Sequence, residues 1–231
     1  MYCRPGFESY LRHWVDRQQF DNILTDIYDG KVWKTFKGSA EQDYFFRPEK
    51  ADTHLGLIIN IDWFQPYDGT IYSTGVLYAA ICNLPRDIRF KRENLLILGL
   101  MPGPNEVSLH KINHYLAPIV DELELLWGGV TLNKTYESQE GKNIRAALIL
   151  VSCDIPAARK ICGYVLALVA CHRCEKKANY ENKKHNFAGM NDMREWFKFW
   201  DVTEHQQNAL GWKRCNSNAA RKRFVKQTGI R

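Results

Sequence analysis

The sequence predicts an α/β domain built on one mixed sheet, and three observations predict it. Short runs of β-favouring apolar residues recur at 55–64, 71–81, 94–100 and 144–153, with glycine or proline near their ends. One longer stretch, 109–127, repeats its apolar residues at threes and fours, as an amphipathic helix does. The first and last runs each carry an aspartate near the exit with a proline just beyond: Asp62 with Pro66, and Asp154 with Pro156.

The elements follow in order. Phe7, Tyr10, Leu11 and Trp14 fall at helical spacing behind Pro5 and Gly6. Asp29-Gly30 reads as a turn, and Val32, Trp33 and Phe36 as the start of a second short helix. Trp14 and Trp33 read as core packing. Residues 37–52 are polar, contain Pro48 and read as a connecting loop. Residues 1–52 are therefore expected to form an N-terminal helical segment with a linker. The first two strands are joined through Pro66-Tyr-Asp-Gly69, a connection tight enough for antiparallel pairing. Leu84-Pro85 ends the second strand and Met101-Pro-Gly-Pro104 stops the third. In the helix, Ile112, Tyr115, Leu116, Ile119, Val120, Leu123 and Leu126 form the apolar stripe. Pro118 lies inside it and is expected to kink or split it, and Gly128-Gly129 ends it. The fourth strand delivers Asp154, and a helix over 157–168 should follow.

The order β-β-β-α-β is that of a ribonuclease H-like sheet. The first three strands make an antiparallel meander, and the fourth returns through the helix to lie parallel to the first. Parallel neighbours leave at the same edge, so Asp62 and Asp154 would face each other, a geometry suited to two divalent cations. Each aspartate also has an ordinary use. Asp62 can shape a turn, and Asp154 can cap the helix that follows. The core is expected over 53–168, with 169–231 as an α-helical extension of zinc-binding type.

Composition narrows the function. The chain has 231 residues, is 45% hydrophobic and carries a formal net charge of +6. That excess is compatible with a polyanionic partner without requiring one. Seven cysteines at irregular spacing, with no secretory leader, argue against a disulfide framework and for a reducing compartment. No apolar run approaches a membrane span. A phosphate-binding glycine loop, a nucleophilic serine elbow and an H-E-x-x-H zinc motif are all missing.

Cys171-His-Arg-Cys174 places two thiols on one tight turn, which is half of a tetrahedral zinc site. The remaining ligands would come from His185, His205 or Cys215, with His172 less suited because it lies within the turn. A reduced pair without metal is the alternative, and a redox pair lacks the strand that should lead into it. Cys3, Cys82, Cys153 and Cys162 read as small buried hydrophobes. The C-terminal stretch is basic. Arg221, Lys222, Arg223 and Lys226 are candidate phosphate contacts, although such runs are commonly a solvated helix face. Trp196, Phe197, Phe199 and Trp200 read as local core, although exposed aromatics could stack on bases.

Several blocks together resemble the En/Spm-like (CACTA) transposases. They are Asn60-Ile-Asp-Trp-Phe-Gln-Pro66, Asn83-Leu-Pro85, Leu100-Met-Pro-Gly-Pro104, Tyr115-Leu-Ala-Pro-Ile-Val-Asp-Glu-Leu123 with Trp127, Arg145-Ala-Ala-Leu148, Asp154-Ile-Pro-Ala157 and Cys171-His-Arg-Cys174. Arg4-Pro-Gly-Phe7, Ile27-Tyr-Asp-Gly-Lys31 and Glu204-His205 with Ala209 are similar too. The resemblance implies a DDE-type catalytic core that cuts and joins DNA in the nucleus. Asp62 and Asp154 would hold two Mg²⁺ ions, transposon ends would be the partner, and a homo-oligomer is a further candidate. It also implies a third acid, a glutamate beyond an arginine like Arg231. No glutamate of this chain takes that role, so the chain reads as a fragment expected to be inactive alone. The alternative is a non-catalytic, zinc-stabilised DNA-binding or interaction remnant. A cellular ribonuclease H-like nuclease fits the strand order but not the Cys-x-x-Cys block.

Overall fold

The computed structural model describes residues 1–18, 20, 22–38, 43–108, 111–163, 174, 179–186 and 198–230. Its centre is strand β1 (His54–Phe64), the middle strand of a five-stranded mixed sheet. On one side β1 pairs antiparallel with β2 (Thr74–Ile81), from Leu57 opposite Ile81 to Phe64 opposite Thr74. Strand β2 pairs antiparallel in turn with β3 (Leu95–Met101), through a register shift at Leu77/Tyr78. On the other side lies β5 (Lys142–Cys153). The Arg145 N–H donates to the Thr53 carbonyl at 2.8 Å, and further along Ile149 packs on Gly56. Contacts that advance together along both chains make β1 and β5 parallel. The edge strand β4 (Val130–Leu132) forms an antiparallel pair with the start of β5. It was not expected, because three residues in a polar stretch carry no readable alternation.

Alternation along β1 assigns the two faces. Leu55, Leu57, Ile59 and Ile61 are buried. Leu55 and Leu57 join Tyr2, Phe7, Leu11, Ile81, Leu84, Ile144 and Ala146 in one cluster, with Phe7 and Leu11 supplied by α1 (Phe7–Asp16). Helix α4 (Ile112–Gly128) adds Leu123 and Leu126 to this side. Pro118 sits inside α4, which continues as one helix rather than splitting. Pro118, Ile119, Leu123 and Leu126 line an apolar groove of about 200 Å³ together with Leu57, Ile59 and Leu96. That apolar packing offsets the roughly 3 kcal/mol that an interior proline costs a helix.

The opposite face begins with Gly56 and Ile58. Here Tyr28, Trp33 from α2 (Lys31–Thr35), Phe45, Phe46, Cys82 and Ala147 form a second, aromatic cluster. Trp33 stacks on Phe46 with centroids 3.7 Å apart. A Cβ on Gly56 would come within 2.7 Å of the Trp33 ring, so the glycine is what admits the indole. Residues 37–52 are therefore more than a connection: Phe45 and Phe46 are core. A polar average over that stretch hides two adjacent aromatics. Asn83 pins the entry to β1, donating to the Ala51 and His54 carbonyls and accepting from the Gly56 N–H. The short helix α3 (Arg86–Arg89) places Arg89 against Asp26, the Tyr28 hydroxyl and the Leu84 carbonyl. Of the cysteines expected to be buried, Cys82 is, Cys153 is half-buried, and Cys3 and Cys162 are exposed. Both exposed cysteines sit on turns rather than inside a helix or strand.

The chain divides into two compact units, Met1–Glu106 with His114–Ser152, and Val107–Asn113 with Cys153–Arg231. The first contains the sheet and both clusters. The second contains α5 (Ile155–Ile161), the hairpin of β6 (Asn179–Glu181) and β7 (Lys184–Asn186), and the helices α6 (Val202–Arg214) and α7 (Asn218–Thr228). The helix expected over 157–168 stops at Ile161, where Cys162 caps it and Gly163 turns away at φ 77°, and residues 164–168 lie outside the described residues. No described helix is long and apolar enough to cross a membrane.

Candidate active site

Asp62 is the ninth residue of β1 and stands opposite Val76. Its side chain shares a face with Gly56, Ile58 and Asn60. The aromatic cluster covers the beginning of that face, and Asp62 is exposed beyond it. One carboxylate oxygen, Oδ1, accepts from the Trp63 N–H at 2.9 Å. Among the described residues no cation forms a salt bridge with it. Two residues back, the Asn60 Oδ1 atom is buried and accepts no hydrogen bond among the described residues. A buried acceptor without a donor costs about 1–3 kcal/mol, so this one invites a bound water or cation.

Asp154 follows β5 directly and is the N-cap of α5. Its Oδ1 accepts from the Ala157 N–H at 2.7 Å, and Pro156 sits in the first turn. The capping role is thus realised. It uses one oxygen and leaves Oδ2 at an exposed position. Asp62 belongs to the first unit and Asp154 to the second. The donors fit a hard divalent cation, which takes carboxylate and amide oxygens.

Among the described residues, the acids gathered within ligand reach of one another are three others, Glu8, Asp52 and Glu137. Cations already fill this cluster. Lys142 Nζ bonds Glu8 and lies 2.7 Å from Asp52, while Arg12 reaches Asp52 at 2.8 Å and Glu137 at 2.7 Å. Burial works to raise the Glu8 and Asp52 carboxyls, but Lys142, joined by Thr135 and the Glu137 N–H at Glu8 and by Arg12 at Asp52, outweighs it, and both lie below the ordinary range. Burial likewise opposes the charge on Lys142, yet the two carboxylates hold its proton more firmly than usual. This is a structural ion-pair network joining α1, the entry to β1 and the start of β5.

Of the zinc candidates, Cys171 lies outside the described residues, as does His172. Cys174 is buried and forms an isolated bridge with Phe199. His205 is on α6, half-buried, and Cys215 caps that helix, its thiol bonded to the Gly211 carbonyl. Among the described residues, neither Cys174 nor His205 belongs to a group of three ligands. Of the basic candidates, Arg221 lies over the Trp212 ring, and Lys222, Arg223 and Lys226 are exposed on α7. The residue that sequence reasoning missed is Asn60. Its period-two spacing from Asp62 was the available signal.

A family model described as transposase family tnp2 matches residues 21–224. The chain belongs to this family. These are transposases of the CACTA/En-Spm type, and the matched span includes both Asp62 and Asp154. No curated protein matches the chain. For the tnp2 transposase fold, some resembling blocks carry structure rather than chemistry. Asn83 holds the strand entry, and Asp29 binds Arg17 and the backbone N–H groups of Thr25 and Asp26.

Proposed function

We propose that this tnp2 transposase chain has a ribonuclease H-like fold and carries two acids of a DDE core acting on DNA in the nucleus. The observation that carries the reading is the parallel adjacency of β1 and β5. Asp62 stands near the end of one strand and Asp154 immediately after the other, the positions along the two strands that a shared cation would require. The sheet order β3-β2-β1-β5 supports the ribonuclease H-like assignment, with a meander of three strands and a parallel fourth. Asp62, Asp154 and the amide oxygen of Asn60 would hold Mg²⁺. Such ions supply an activated water or hydroxyl nucleophile and stabilise the leaving oxygen of a phosphodiester. The protein's own part is positional. The Trp63 N–H orients Asp62, and the capping bond to Ala157 orients Asp154.

Calorimetric titration with Mn²⁺ tests this. The chain is expected to bind Mn²⁺ stoichiometrically, and both Asp62→Asn and Asp154→Asn to lose a site. Undiminished binding in both variants would refute it.

A further inference from the structure

The basic end of the second unit has an architecture beyond its charge. Helix α6 and helix α7 are joined by only three residues, Cys215, Asn216 and Ser217. Ser217 starts α7 by accepting from the Ala220 N–H at 3.1 Å, and Gly229, at φ 74°, ends it. Two helices joined by a connection of this length form a helical hairpin.

The inner face of the pair is well defined. A Cβ on Gly211 would meet the Phe224 ring at 2.7 Å, so glycine in α6 lets α7 approach closely. Arg221 lies 4.9 Å from the Trp212 ring centroid. Ile230, fully buried, packs with Trp200 and Ala209. Arg221, Phe224 and Thr228 thus repeat on one side of α7 at helical spacing.

The outer face is different. Asn218, Ala219, Lys222, Arg223, Lys226 and Gln227 are all exposed. After Glu204 the chain contains seven cations and no acid, more than the net charge of +6 of the whole chain. The outer face also mixes cations with amides and one small residue. Arginine and asparagine are the side chains that read guanine and adenine edges, and alanine allows close approach. A face meant for phosphates alone needs neither amides nor close approach.

We propose that α6–α7 is a duplex-DNA reader in which α7 enters the major groove. Asn218, Lys222 and Arg223 face base edges, and Lys226 meets the phosphate backbone. Arg221, named among the phosphate contacts from sequence, serves the hairpin through Trp212. The reader does not depend on the metal-site reading and stands or falls separately from it.

The test uses the full chain and a randomised duplex library, followed by binding measurements on the selected duplex, an unselected duplex and single strands. A sequence motif is expected to emerge, with guanine N7 atoms in it protected from methylation. Asn218→Ala and Arg223→Ala should each reduce the preference for the selected duplex about tenfold, leaving affinity for the unselected duplex little changed. Lys226→Gln should weaken both duplexes equally and lower the salt slope by about one. Helical circular dichroism of each variant confirms that the hairpin is intact. Failure to select a motif, unprotected N7 atoms, or single strands bound as tightly as duplex would each overturn the proposal.

Discussion

The two ends of strand β1 treat their acids in opposite ways. At the entry, Asp52 is drawn into a network in which Lys142 and Arg12 satisfy Glu8, Asp52 and Glu137. Near the exit, Asp62 is exposed without a cation among the described residues, and the neighbouring Asn60 Oδ1 is buried without a donor. Charge that is balanced from within holds strands together. Charge and acceptors left unbalanced mark a place where something from outside is expected to bind. The same contrast explains why an acidic cluster within ligand reach is no metal site, while a lone aspartate further along the strand is a candidate.

The largest expected effect breaks the entry. Lys142→Met leaves the buried Glu8 and the half-buried Asp52 without their shared cation. It should cost about 3–5 kcal/mol in urea unfolding, the usual consequence of removing one partner of a buried ion pair. Asp62→Asn in the same assay should stay within about 0.5 kcal/mol of the parent, because its side chain is exposed. Equal losses at the two ends would erase the comparison.

Next in size is Gly56→Ala, expected to cost about 1–3 kcal/mol as the new methyl forces Trp33 off its place against Phe46. Intrinsic tryptophan fluorescence should shift with it.

Smaller again is the difference between two substitutions of Asp154. Asparagine preserves the helix cap, whereas alanine removes it and should cost about 1 kcal/mol more. If both lower Mn²⁺ binding alike while differing in thermal stability, the capping and metal roles of this side chain are separated. An alanine variant as stable as the asparagine one would show that the cap contributes nothing.

Acid should act at the entry first. The Glu8, Asp52 and Asp29 carboxyls lie below their ordinary values in the folded chain. The stability they supply is complete above the unfolded carboxyl range near pH 4 and is lost as pH falls through the folded values. His54, held down to about 4 by burial and by Arg145, adds a loss that begins higher, below about pH 6.5. Melting temperature should therefore start to fall near pH 6 and drop steeply below pH 4. Lys142→Met should flatten the lower limb. A parent profile level down to pH 4 would contradict the His54 contribution.

Much of the sheet was legible because its strands announce themselves. The runs ending near Asp62 and Asp154 are apolar, β-branched and closed by proline, and α4 shows an unbroken stripe from Ile112 to Leu126. What stayed hidden was local or long-range. Phe45 and Phe46 were lost in a polar average, and β4 is too short to show a period. The Glu8–Lys142 pair joins residues 134 apart, a separation that no spacing rule reaches. In the site, the two aspartates could be read from strand exits. Asn60 left only its period-two spacing from Asp62 as a signal, and it took the structure to show its oxygen buried without a donor among the described residues. The α6–α7 hairpin was half visible: the basic run stood out, but the inward roles of Arg221, Phe224 and Gly211 needed the packed pair.

The most direct test of the central claim is metal-directed cleavage. Fe²⁺ replaces Mg²⁺ on the purified chain, peroxide is added, and the backbone breaks are mapped by mass spectrometry. Cuts near both residue 62 and residue 154, suppressed together by either Asp62→Asn or Asp154→Asn, are the predicted result. Cuts near only one of them, or a pattern that survives both substitutions, would mean that the two aspartates do not share a cation.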